Sequence, residues 1–208
     1  MSTARQDILA RVRKAIGNKG IEVPIVRGYR QTGALDEAAK LDLFVGRLED
    51  YNARVFRCTE DAVAATISAA IGARGKASML IPPGFPSEWL PPGFTFTRDD
   101  NNHSYRHIDA TDGALTAATV AIAMTGSIIL THSPTEGRRA LTLIPDYHLC
   151  VVRASQLVET VPEGIRALGE RRTCPVTTIA GPSATADIEM IRVKGVHGPR
   201  TLDVIIVT

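Results

Sequence analysis

The stretch from Ile179 to Pro199 brings together the residue types from which a small-anion site is made. Gly181-Pro182-Ser183 follows a strand-like run, and Ser183 and Thr185 add hydroxyls close behind it. A glycine tolerates unusual backbone dihedrals there, and the N–H groups of such a turn can point at a carboxylate or phosphate. The same residues equally suit plain capping, with Ser183 at the start of a short helix and Thr185 and Asp187 in its first turn. Asp187 and Glu189 stand two apart, so on a helix they diverge and form no paired acid/base unit. Asp187 alone stays a candidate proton carrier. So does His197, between Val196 and Gly198-Pro199, because imidazole titrates in the range that proton transfer needs; a backbone carbonyl could equally hold its ring. The glycine-rich turn lacks the lysine of a phosphate-binding P-loop, and neither Gly-x-Ser-x-Gly nor Gly-x-Gly-x-x-Gly occurs.

A second cluster lies mid-chain. Thr125-Gly126-Ser127 separates two apolar runs, marking a tight bend or a close backbone approach, and offers two hydroxyls. Arg138 and Arg139 follow, and a guanidinium can clamp a carboxylate or phosphate through two parallel hydrogen bonds, although surface arginines are ordinarily just solvated. His103, His107 and His132 show no metal-ligand spacing, so no metal site is expected. Cys58, Cys150 and Cys174 form no Cys-x-x-Cys pair, which argues for buried free thiols and against a structural zinc or an iron–sulfur cluster in this chain.

The elements that must position these groups alternate. Ile8, Val12 and Ile16 predict an N-terminal amphipathic helix ending near Gly17, followed by a polar connection over 18–33. A helix is predicted over 34–49 and a strand at Arg54–Cys58. A helix capped by Thr59 follows, running to about Gly72, and then a strand at 77–81. That alternation is the signature of a parallel sheet with crossover helices. Residues 86–102 read as loop, with Trp89 packing as part of a lid. Further strands are expected at 120–124, 127–131, 148–152, 176–180 and 202–207. A short helix is expected after Gly137, and another near Pro162 with Thr160 or Val161 just before it. The domain reading is an N-terminal helix and connection over 1–33 and one α/β domain over 34–208.

Bulk properties exclude other classes. At 208 residues the chain can bury one sizeable core, which is aliphatic because aromatics make up only 5%. A formal net charge of +2 without any basic run gives no footprint for nucleic acid. No apolar run reaches membrane-spanning length, and the charged N-terminus lacks a signal core, so a soluble cytoplasmic protein is expected.

Taken together, these residues resemble a known family. Gly181-Pro-Ser-Ala-Thr-Ala-Asp-Ile-Glu189 followed by Gly195-Val-His-Gly-Pro199 resembles the C-terminal signature of the LUD-domain family, which includes the lactate-utilisation protein C group. Thr125–Leu130 and Arg138–Asp146 are similar to its central motifs, and the opening helix also matches. The resemblance implies an α/β fold of the NagB/RpiA/CoA-transferase type, with a mostly parallel sheet flanked by helices and an appended N-terminal helix. It implies a role in bacterial oxidation of L-lactate to pyruvate as the component without clusters, beside iron–sulfur oxidoreductase partners. A subunit of that kind would bind a small carboxylate or a partner, and the candidate ligand-binding residues are Gly181, Ser183, Thr185, Thr125, Gly126, Ser127, Arg138 and Arg139. Family members commonly carry an acidic residue just before the Thr-Gly, where this chain has Met124, which favours a binding or assembly role over independent catalysis. The alternative is a stand-alone enzyme on the same fold, acting on a small carboxylate, a CoA thioester or a sugar phosphate, with His197 or Asp187 as the proton carrier.

Overall fold

The computed structural model describes residues 3–17, 24–100, 103–185, 193–195 and 197–208. Asp187 and Glu189 lie outside the described residues, as does part of the 18–33 connection. The chain forms two compact units, Met1–Arg30 and Gln31–Thr208. In the first, α1 (Ala4–Ile16) starts at Thr3, whose backbone N–H donates to Gln6 Oε1 at 2.9 Å, and none of its residues is buried. Arg13 and Lys14 in its last turn complement the helix dipole.

The second unit opens with α2 (Glu37–Asp50), β1 (Arg54–Cys58), α3 (Val63–Ala73), β2 (Ser78–Ile81), β3 (Thr95–Arg98), α4 (Tyr105–Asp109) and β4 (Gly113–Ala117). The hairpin of β5 (Val120–Ile122) and β6 (Ser127–Leu130) comes next, then β7 (Tyr147–Arg153), β8 (Leu157–Val158) and α5 (Val161–Ala167). The chain closes with β9 (Thr177–Ile179), β10 (Ala184–Thr185), β11 (Val193–Lys194) and β12 (Thr201–Val207). Six strands form one all-parallel sheet in the order β1-β12-β7-β4-β2-β3. The last strand therefore enters the middle of the sheet, and all but its first residue are buried. The fold is the α/β class expected, with a parallel sheet flanked by helices.

Period-two alternation splits β7 between two cores. Tyr147, Leu149 and Val151 face Val63, Ile67 and Ile71 of α3, with Ile205 and Val207 beside them. Cys150 and Val152, with Leu202, Val204 and Ile206, face the opposite way, against Phe44 and Leu48 of α2 and against a second sheet. That sheet has the order β8-β5-β6-β9, so the strands before and after the Thr-Gly bend lie outside the main sheet. Its far side packs on α5, where Gly164 leaves room for Ile122.

Some elements depart from the expected outline. Residues 95–98 form an edge strand rather than loop, parallel to β2, with Phe96 half-buried over the α3 core. The helix expected from Ala34 begins at Glu37, because the preceding backbone is held otherwise. Gly33 N–H donates to Glu163, and the Ala34 and Leu35 N–H groups donate to Glu159 Oε2 at 2.6 and 2.7 Å. Asp36 then caps α2 by accepting from Ala39 N–H at 2.8 Å. Thr160 caps α5: its hydroxyl oxygen accepts from Glu163 N–H at 3.4 Å, while Glu163 accepts from Thr160 N–H.

Candidate functional site

A pocket of about 290 Å³ opens where β7 and β12 begin, walled by β9 and by the turns after β9 and before β12. Its polar lining includes Arg139, His148, Thr177, Ser183 and His197. The turns are locked by backbone bonds: Ser183 N–H donates to Pro199 O at 2.8 Å, and Gly195 N–H donates to Ser183 O at 2.9 Å. Ser183 Oγ accepts from His197 N–H at 3.2 Å. Gly181 has φ +79°, and a Cβ built there would sit 2.5 Å from Cβ of Tyr51. Both facts require glycine.

Arg139 reaches the pocket from a 3-10 turn, Arg139–Thr142. Among the described residues its guanidinium has no carboxylate partner, so the cation stays available to an anion. Arg138, next to it, is committed elsewhere. Its Nε and Nη2 donate to Asp99 Oδ2 and Oδ1 at 2.7 and 3.0 Å, and Nη2 also donates to His103 O. Adjacent residues in this stretch thus have different duties.

His148 was expected only as part of a buried strand. It stands on the face of β7 turned toward α2 and forms part of the pocket wall, only 1% exposed. Nε2 lies 2.8 Å from Thr116 Oγ1, and burial pushes the imidazole down to about 4, so the ring is neutral at physiological pH.

Of the residues singled out in the sequence, Gly181, Ser183, His197 and Arg139 come together around this pocket. Thr185 follows in β10. Thr125, Gly126 and Ser127 do not line it. Thr125 and Gly126 form part of the β5–β6 hairpin turn, where Gly126 (φ +60°) lets the backbone approach Arg47 of α2, and Ser127, the first residue of β6, is buried. Thr125 Oγ1 is buried there without a hydrogen-bond partner among the described residues. Met124 in the same turn is 40% exposed. Asp99, Asp100 and His103 bring ligand atoms within 4.8 Å of one another, but Asp99 is the carboxylate that Arg138 already engages.

Sequence reasoning passed over Glu136 and Thr177. Glu136 is 1% exposed, and its carboxylate accepts from Thr131 N–H at 2.7 Å, from Ser133 N–H at 3.1 Å, and from the Thr119 and Thr131 hydroxyls. A buried carboxylate bonded to two backbone N–H groups is a loop anchor, and its spacing from those partners carries no recognisable motif. Thr177 is visible in the sequence only as one polar position in a strand.

This is an α/β protein with a small concave site at the N-terminal ends of central parallel strands, lined by hydroxyl and imidazole groups and by Arg139, which has no carboxylate partner among the described residues. The LUD domain model matches residues 41–207, and the chain belongs to that family. It is 40% identical over 206 residues to lactate utilization protein C of Deinococcus radiodurans, which covers 98% of this chain and 95% of that one. An uncharacterized protein of Neisseria meningitidis is 26% identical over 96% of this chain and 91% of its own length. The crystal structure of a DUF162 family protein from Deinococcus radiodurans superposes with a TM-score of 0.74 and 37% identity, covering 84% of this chain and all of that one.

Proposed function

We propose that this protein is the cluster-free LUD-domain component of a bacterial, cytoplasmic system that oxidises L-lactate to pyruvate, working with iron–sulfur oxidoreductase subunits. The observation that carries the reading is the near full-length 40% identity to a lactate utilization protein C. The sequence supports the cluster-free assignment, because Cys58, Cys150 and Cys174 form no Cys-x-x-Cys pair. In this reading the electrons leave through the partners' clusters, and this chain supplies the pocket, where Arg139 pairs with a small carboxylate. No helix among the described residues is long and apolar enough to cross a membrane.

The test is reconstitution. Candidate cysteine-rich iron–sulfur partner proteins are purified, and lactate-dependent dye reduction is measured with and without this chain. Activity is expected to require this chain and to fall in Arg139→Gln; full activity in its absence would overturn the reading.

A further inference from the structure

A hydrogen-bonded chain runs from the pocket wall into the loop behind it. Thr177 lines the pocket, and its Oγ1 lies 3.1 Å from Nε2 of His132. Nδ1 of the same ring lies 3.0 Å from the carbonyl oxygen of Gly137. A carbonyl oxygen only accepts, so Nδ1 carries the proton, and in the neutral ring Nε2 is an acceptor. The Thr177 hydroxyl therefore donates to Nε2, which leaves its oxygen lone pairs for a donor in the pocket.

The loop around His132 is built to hold that ring in place. His132 has φ +56°, one of two non-glycine residues with positive φ among the described residues. Strained backbone of this kind persists only where the surroundings over-determine it, and it concentrates at ligand sites. Here the surroundings are identifiable: the N–H groups on either side of His132, those of Thr131 and Ser133, both donate to Glu136 Oε2. Gly137 N–H donates to Ser133 O at 2.9 Å and closes the turn. One buried carboxylate thus fixes the loop, the loop fixes the imidazole, and the imidazole orients the threonine.

We propose that Thr177, oriented by His132, is the group that recognises the hydroxyl of a small 2-hydroxy carboxylate whose carboxylate pairs with Arg139. The ligand hydroxyl donates to Thr177 Oγ1, Thr177 donates to His132 Nε2, and His132 Nδ1 donates to Gly137 O, so every donor in the chain has one acceptor. A site that hydrogen-bonds a ligand hydroxyl rejects the analogue lacking it, because its own polar group is left unpaired. His132 is a positioning residue in this scheme. The proposal rests on the lactate reading above and adds how the ligand is distinguished.

The test titrates the full-length protein by calorimetry with L-lactate and with propionate, which differ by the one hydroxyl. Wild type is expected to prefer L-lactate by about tenfold or more, the scale of one hydrogen bond. Thr177→Val, nearly the same shape, should lose the preference while still binding propionate, and Thr177→Ser should keep it. Arg139→Gln should weaken both acids. By NMR, the ¹⁵N signal of His132 Nε2 should move on adding L-lactate and stay in place with propionate, a response that a merely structural histidine would not give. Equal affinity for the two acids in wild type, a preference retained in Thr177→Val, or no binding of either acid would overturn the proposal. None of those results would touch the subunit role, which is read from partner-dependent dye reduction.

Discussion

Acid should weaken this fold through His148 in a window that can be specified in advance. Burial holds the imidazole at about 4 against an ordinary value of 6.5. Because the folded value is the lower one, the unfolded chain takes up the proton first as pH falls. The contribution of His148 is therefore whole above about pH 6.5, declines below that, and is fully lost once pH has passed through the folded value near 4. At about 1.4 kcal/mol per pH unit, the window holds about 3 kcal/mol, of which about 2 kcal/mol is gone by about pH 5. Urea unfolding read by the single tryptophan, Trp89, suits the measurement, because that ring is 3% exposed and sits edge-to-face with Phe85. Wild type and His148→Gln are compared at about pH 7.5 and about pH 5. Asp112 and Glu163, both held below the usual carboxylate range by backbone N–H donors, weaken the fold at lower pH in both proteins and cancel in the difference. Wild type should lose about 2 kcal/mol more than the variant over that interval. Parallel losses would refute the argument, showing that the ring is solvated and titrates normally.

Three further perturbations follow from named contacts. Gly181→Ala places a Cβ on a backbone with φ +79° and 2.5 Å from Tyr51 Cβ, so it should cost about 1–3 kcal/mol in urea unfolding and loosen the pocket wall. Asp203→Ala should lower stability by about 3 kcal/mol, seen as a fall in Tm. It strands the Arg74 guanidinium, bonded at 3.0 and 2.5 Å, and the buried Tyr147 hydroxyl at 3.0 Å, with Arg74 being 27% exposed and able to recover some hydration. Glu136→Ala should cost about 2–5 kcal/mol by leaving the Thr131 and Ser133 N–H groups without an acceptor, whereas Glu136→Gln, which keeps one oxygen, should cost less than half as much. Equal losses in the two Glu136 variants by urea unfolding would refute the anchor role.

The alternation of apolar runs and helix signals was enough to predict a parallel α/β sheet, and Arg54–Cys58 is a strand with those very bounds. Strand β3 was illegible because it is a short edge strand with no fully buried side chain, preceded by a proline- and glycine-rich stretch. Its apolar signal is halved by position, while the turn residues around it are at full strength. The run at Gly113–Ala117 is buried except at its last residue, but glycine and two alanines give it little strand propensity, so tertiary pairing with β2 and β7 decides it. Nor does any local pattern reveal that β5 and β6 leave the main sheet, because both sheets bury the same kinds of side chain.

The site was legible where backbone chemistry marks it and hidden where side chains from distant strands supply it. Gly181 and Ser183 stand out because turns require those residue types, and they do line the pocket. The Thr-Gly-Ser bend carries the same kind of signal yet serves a hairpin and a helix contact. Turn chemistry therefore reports that a backbone must bend and says nothing of what the bend faces. Arg138 and Arg139 make the same point with side chains, since neighbours in sequence point one at Asp99 and the other at the pocket. His148, Thr177 and His132 reach the site from separate segments, each reading as an ordinary strand or loop position on its own. Only the order of strands makes them neighbours: β12, last in sequence, pairs with β7, and β9 joins the second sheet across β6. A constellation assembled by non-local strand pairing leaves no spacing in the sequence to find. Its physical trace is instead the strain at His132 and the depressed basicity of His148, which only the folded structure displays.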